Sequence, residues 1–232
     1  MAEPRTAQRI TIREGRGLTR VKNVGMNSDS SSETQTPFEI IVLNGASSSG
    51  KTTLAAALQD ALEESWLVFG TDTLISALPL ALLEIHDDAL IDARPREHVI
   101  RDGGISFGAD GEIVVGSEYR RLETTWLNGL AAVAQSGTRL ILDEVFLDGE
   151  ISQDRMRRAF IGRRIAWIGV TCDHDVAAER ERRRGDRVVG ESEIQSSLVH
   201  VGVVYDLVVD STVHTPQHLA RQIADHFRVA SA

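Results

Sequence analysis

The chain is expected to fold as a three-layer α/β domain of the P-loop NTPase and kinase type, with a five-stranded, mainly parallel sheet and an arginine-rich lid. Three observations predict this. From Phe38 onward, short apolar runs alternate with stretches of helical periodicity, as a parallel sheet covered by helices requires. The stretch LNGASSSGKTTL places a glycine-bounded loop between one such run and a helix. RERRRGDR, residues 180–187, gathers arginine at the end of another helical stretch.

Taken in order, residues 1–37 have little apolar periodicity, carry several arginines and finish in NSDSSSETQTP, so they are expected to be a disordered tail outside the fold. Glu3 and Glu14 weigh against a transit peptide there. Residues 38–232 form the kinase-type domain, with strands expected at FEIIVLN, WLVFG, RLILDE, IAWIGVTC and YDLVVD. Leu54, Leu58 and Leu62 recur at helical spacing after the first strand, and Leu122, Trp126, Leu130 and Val133 before the third; both stripes should face the core. The last helix should begin at Thr215-Pro216 and bury Leu219, Ile223 and Phe227. Residues 84–117 break the alternation. They are rich in Asp, Arg and Gly, and ISFGADGEIVV reads as a hairpin, so the segment is expected to be an insertion on the core.

Composition narrows the function. At 232 residues, 42% hydrophobic and 25% charged, the chain suits one globular domain, and no apolar run approaches the length of a membrane span. A cytoplasmic protein with no membrane partner is expected. The formal charge of -9 argues against a nucleic-acid-coating surface, which needs Lys and Arg to neutralise phosphate. Cys172 is the only cysteine, so no internal disulfide forms, and in IAWIGVTC it should act as a small buried hydrophobe. Lys22 and Lys51 are the only lysines, so beyond the tail the sole lysine lies in GASSSGKT.

Gly45, Ala46, Ser47, Ser48, Ser49, Gly50, Lys51 and Thr52 match G-x-x-x-x-G-K-[ST], and with Thr53 they are the candidate nucleotide-binding residues. Glycines let such a loop turn its N–H groups toward a phosphate, and the helix behind it adds the positive end of its dipole. Lys51 would supply charge to the outer phosphates of ATP, while the Thr52 hydroxyl and Asp143, at the end of RLILDE, would hold Mg2+.

Within that class the options differ. A guanine-reading Asn-Lys-x-Asp segment cannot exist with so few lysines. Glu144 beside Asp143 keeps a water-activating ATPase open, although no LSGGQ-like signature is present. RERRRGDR is either a lid that closes over a transferring phosphoryl or an exposed helix whose arginines interleave with Glu179 and Glu181, ending near Gly185. Asp72, just past WLVFG, lies where a sheet of this kind binds ligands; it could orient an acceptor hydroxyl and take its proton. It could equally N-cap the helix TLISALPLALLEI, and that stretch alone favours the cap. His214 and His218, at i, i+4, read as an exposed helix face, and His86 and His98 lie in the insertion.

From Phe38 to Phe227 the chain resembles the chloramphenicol phosphotransferase family of P-loop kinases. The likeness is carried in order by IIVLNGASSSGKTTL, WLVFGTDTL, FGADGEIVVGSEYRRLE, LILDEVFL, WIGVTCD, RRGDRVVG and VYDLVVD. The resemblance implies that Asp72 is the general base and that Arg184 and Arg187 are lid arginines, and it reverses the preference for a cap. Two departures matter: residues 84–104 look longer than the family's equivalent, and Asp143-Glu144 stands where two aspartates are more usual. The expected activity is ATP- and Mg2+-dependent transfer of a phosphoryl group to an alcohol of a small molecule, chloramphenicol or a related antibiotic. A zeta-toxin-like sugar-nucleotide kinase and a non-catalytic ATP-sensing module are the alternatives, and a homo-oligomer is left open.

Overall fold

The computed structural model describes residues 11–12, 38–85, 103–107, 113–184 and 191–227. The strands are β1 (Thr11–Ile12), β2 (Ile40–Asn44), β3 (Trp66–Gly70), β4 (Leu83–Ile85), β5 (Ile105–Phe107), β6 (Ile113–Val115), β7 (Arg139–Glu144), β8 (Ile165–Thr171), β9 (Val204–Tyr205) and β10 (Leu207–Asp210). The helices are α1 (Lys51–Ala61), α2 (Thr71–Ala77), α3 (Ser117–Gln135), α4 (Glu150–Ala159), α5 (His174–Arg184), α6 (Glu191–Leu198) and α7 (Pro216–Phe227).

Five strands form the main sheet in the order β10-β8-β2-β7-β3. Every pairing in it is parallel, with Val42 of the central strand between Leu142 and Trp167. The sheet is thus wholly rather than mainly parallel. The run Ile40–Leu43 is apolar at every position because a central parallel strand is covered on both faces, and these four side chains are fully buried. Alternation then sorts them. Ile41 and Leu43 pack with Leu54 and Leu58 of α1 and Leu219 and Ile223 of α7, while Ile40 and Val42 pack with Leu130 and Ala134 of α3 and Met156 of α4. These are the three layers expected. Removing a side chain such as Leu58 should cost about 2–5 kcal/mol.

The sequence-based elements differ from the structure in three places. The helix expected through TLISALPLALLEI stops at Ala77, because Pro79 drives Leu78 to an extended conformation (φ -70, ψ 146). A 3-10 turn at Leu80–Leu82 follows, and Leu83–Ile85 enters a second sheet beside β5, which pairs antiparallel with β6 as the expected hairpin. YDLVVD also divides, Tyr205 ending β9 and Leu207 opening β10. Within the tail expected outside the fold, Thr11–Ile12 pair parallel with Val204–Tyr205. The last helix starts as expected, with His218 N–H donating to Thr215 Oγ1 at 3.3 Å. Among the described residues, no helix is long and apolar enough to cross a membrane.

Candidate active site

The carboxyl ends of β2, β7 and β3 converge on one cleft. Its floor is the loop from Gly45 to Gly50. Ser48 and Gly50 both adopt positive φ (58 and 88), which folds the loop back on itself ahead of α1. A Cβ on Gly45 would stand 2.3 Å from the Val170 carbonyl oxygen, so only glycine lets the chain leave β2 this close to β8. Leu54 N–H to the Gly50 carbonyl, 3.0 Å, opens the helical ladder, so the N–H groups of Lys51, Thr52 and Thr53 precede it.

Lys51 Nζ donates to the Ala46 carbonyl at 2.8 Å and stands 3.8 Å from Asp143 Oδ1. Thr52 Oγ1 donates to Asp143 Oδ2 at 2.6 Å. The hydroxyl oxygens of Ser47, Ser48 and Ser49 are buried without a hydrogen-bond partner, although buried polar groups are normally satisfied. Ser47 and Ser48 line the cleft with Lys51, and a loop with such unsatisfied hydroxyls beside a lysine fits the oxygens of a polyphosphate. The paired Thr52 hydroxyl and Asp143 carboxylate fit the hard oxygen donors that Mg2+ prefers.

Asp72 lines the same cleft, as do Lys51, Thr52 and Asp143. It belongs to the first turn of α2, whose cap position is Gly70 with no side-chain cap bond, so Asp72 is not the N-cap. Beyond it, Ile75, Ile105, Ile113 and Val115 give the cleft an apolar wall, with Arg120 and Glu123 also lining it. Arg120 is held by Glu123 at 2.9 Å and Asp148 at 2.6 Å, and Arg155 reaches the same two carboxylates at 3.4 and 2.8 Å. This network escaped sequence reading because its members come from α3, α4 and the loop between β7 and α4.

Glu144 is not among the cleft-lining residues; it lines a smaller adjoining cavity with Thr71 and Glu123. It is buried, accepts from Thr71 Oγ1 at 2.7 Å, and has its pKa pushed up to about 8, first by burial and then by Asp143 and Glu123.

The arginine-rich stretch divides by face. Arg182 and Arg183 are exposed and paired with Glu179 at 2.9 and 2.8 Å, as an exposed helix would have them. Glu181 is instead buried and accepts from the N–H and hydroxyl of Ser192, at 3.0 and 3.3 Å, joining α5 to α6. Arg180 turns inward, donating to the Ser211 carbonyl at 2.8 Å; Ser211 Oγ in turn donates to the Ser49 carbonyl at 2.6 Å. Arg180 also approaches Cys172 Sγ at 3.3 Å, so the half-buried cysteine is not the simple hydrophobe expected. A second cavity of about 360 Å³ opens between Gly50, Thr53, Arg180 and His214. His214 stacks on His218 with centroids 4.8 Å apart. The side chain of Arg184, and all of Arg187, His86 and His98, lie outside the described residues.

Residues 38–228 match the family described as chloramphenicol phosphotransferase-like protein. The chain belongs to this family. A protein provisionally named an O-phosphotransferase, found in two strains of Mycobacterium tuberculosis, is 31% identical over 202 residues, 82% of either chain. The fold is shared with a sugar kinase from Janibacter sp. (18% identity, TM-score 0.55, covering 84% of this chain and 96% of that one). It is shared as well with the tunicamycin resistance protein of Deinococcus radiodurans (18%, TM-score 0.52, 81% and 94%). As a member of the chloramphenicol phosphotransferase-like family the chain is a P-loop kinase, an enzyme that binds a nucleotide and transfers its phosphoryl group.

Proposed function

We propose that the enzyme transfers the γ-phosphoryl group of ATP to a hydroxyl of an uncharged, largely apolar small molecule, chloramphenicol or a related antibiotic being the first acceptor to test. The observation that carries this reading is that Asp72 lines one cleft with Lys51, Thr52 and Asp143. The loop amides and Lys51 hold the outer phosphates. Thr52 and Asp143 would hold Mg2+, which would supply neutralisation of the phosphate charge. Asp72 orients the acceptor hydroxyl and takes its proton as the oxygen bonds to the γ-phosphorus and the bond to the β-bridging oxygen breaks, leaving ADP. Arg184 and Arg187 are assigned to the developing equatorial charge.

The charge inventory supports an uncharged acceptor. Among the described residues, the two arginines at that end are matched by Glu123 and Asp148, with Asp72 and Asp143 adding negative charge. A sugar nucleotide would bring two further phosphates to a place with no excess cation among those residues. Mass spectrometry on alcohols incubated with enzyme, ATP and Mg2+ tests the reading. A product confined to sugar nucleotides would overturn the acceptor class.

A further inference from the structure

One peptide group in the phosphate loop is gripped from both sides. The Ala46 carbonyl accepts from Lys51 Nζ at 2.8 Å, and the N–H of the same peptide, on Ser47, donates to Gln195 Oε1 at 2.6 Å. Gln195 lies on α6, 148 positions along the chain from Ser47, and is 2% exposed. Because an amide nitrogen donates, the Gln195 carbonyl oxygen and not its NH2 must face Ser47, which fixes the orientation of the side chain. The helix carrying it is tied at both ends. Ser192 donates to the buried Glu181, and the Val199 carbonyl accepts from Asn44 Nδ2 at 2.7 Å.

A peptide plane has one degree of freedom that matters here, rotation about its flanking bonds. Rotation would turn the Ala46 carbonyl away from Lys51 and leave the ammonium without that anchor. The Gln195 bond opposes this rotation. Both partners are buried, so losing the acceptor leaves a buried N–H that water does not easily satisfy.

We infer that Gln195 is a positioning residue for phosphoryl transfer: it fixes the Ala46–Ser47 peptide and, through the Ala46 carbonyl, the place of the Lys51 ammonium. This rests on the nucleotide-binding reading above. Gln195 also lines the cleft with Lys51, so an effect that runs through Lys51 has to be separated from a direct contact with the nucleotide.

That requirement sets the test, a double-mutant cycle read as affinity for Mg2+-ATP by calorimetry on the full chain. Gln195→Met, close in volume but lacking the acceptor, should weaken nucleotide binding roughly 3- to 10-fold, the span of one hydrogen bond. In a Lys51→Met background, the same change should weaken binding less than about twofold. An equal loss in both backgrounds would overturn the inference, since a general loosening of α6 does not depend on the lysine. If Gln195→Met does not fold, Gln195→Asn keeps the amide but withdraws it by one methylene, and the same cycle applies. Failure of the unaltered chain to bind Mg2+-ATP would overturn the nucleotide reading itself, and this inference with it.

Discussion

Thr71 Oγ1 donates to the buried carboxyl of Glu144 at 2.7 Å, one residue before Asp72. The end of β7 thereby holds the first turn of α2, and the carboxyl that does so is kept from ionising. An acid whose pKa is raised in the native state keeps its proton to higher pH than in the unfolded chain. Between its ordinary 4.5 and about 8, stability therefore falls as pH rises. Glu144→Gln keeps an acceptor for Thr71 and removes this slope, so at pH 8 it should exceed the parent stability by on the order of a few kcal/mol. Urea unfolding at pH 5 and pH 8 measures it, and a parent and variant that lose stability in parallel would contradict the assignment.

His200 works in the opposite sense. Its Nδ1 lies 2.7 Å from the Tyr205 hydroxyl, which itself accepts from Asn44 Nδ2 at 2.5 Å and so directs its own proton to the ring. Burial, with a smaller effect from Lys51, lowers the His200 pKa from 6.5 to about 4. Here the unfolded chain takes a proton that the native chain refuses, so stability falls as pH drops from 6.5 toward 4. His200→Asn, which places an oxygen near the position of Nδ1, should flatten this acid limb. Thermal melts between pH 4 and 7 would show no change of slope if the histidine were solvated instead.

Asp72→Asn should bind ATP with nearly parental affinity while losing roughly 100- to 10,000-fold in turnover, the range of a positioned acid–base group. Comparing nucleotide-induced thermal shift with product formation separates the two effects. Near-normal turnover would remove Asp72 from the chemistry.

Gly45→Ala should destabilise the fold by about 1–3 kcal/mol, the scale of overpacking. Its Cβ would meet backbone at 2.3 Å, and a carbonyl oxygen cannot swing aside as a side chain can. Denaturant melts test this, and a parental midpoint would show that β8 yields.

The strands and the phosphate loop were legible because each is a local pattern: IIVL apolar on both faces, then glycine and lysine at fixed spacing. The break at Pro79 was equally local, yet the apolar run around it hid it. Asp72 was ambiguous for a physical reason, since the first turn of a helix and the rim of a cleft call for the same carboxylate. Only the Gly70 cap separates the two. Gln195 and the Arg120 network could not be read at all, because their partners come from other elements of the fold, Ser47 lying 148 positions from Gln195.

The balanced ion pairs around Arg120 carry an evolutionary corollary. Asp148 serves both Arg120 and Arg155, so its replacement by asparagine would leave these two arginines to share Glu123 on the wall of the cleft. A lineage with this architecture can change the charge of its acceptor end by one substitution, and competition assays with sugar acids on Asp148→Asn would measure how far that change widens the range of acceptors.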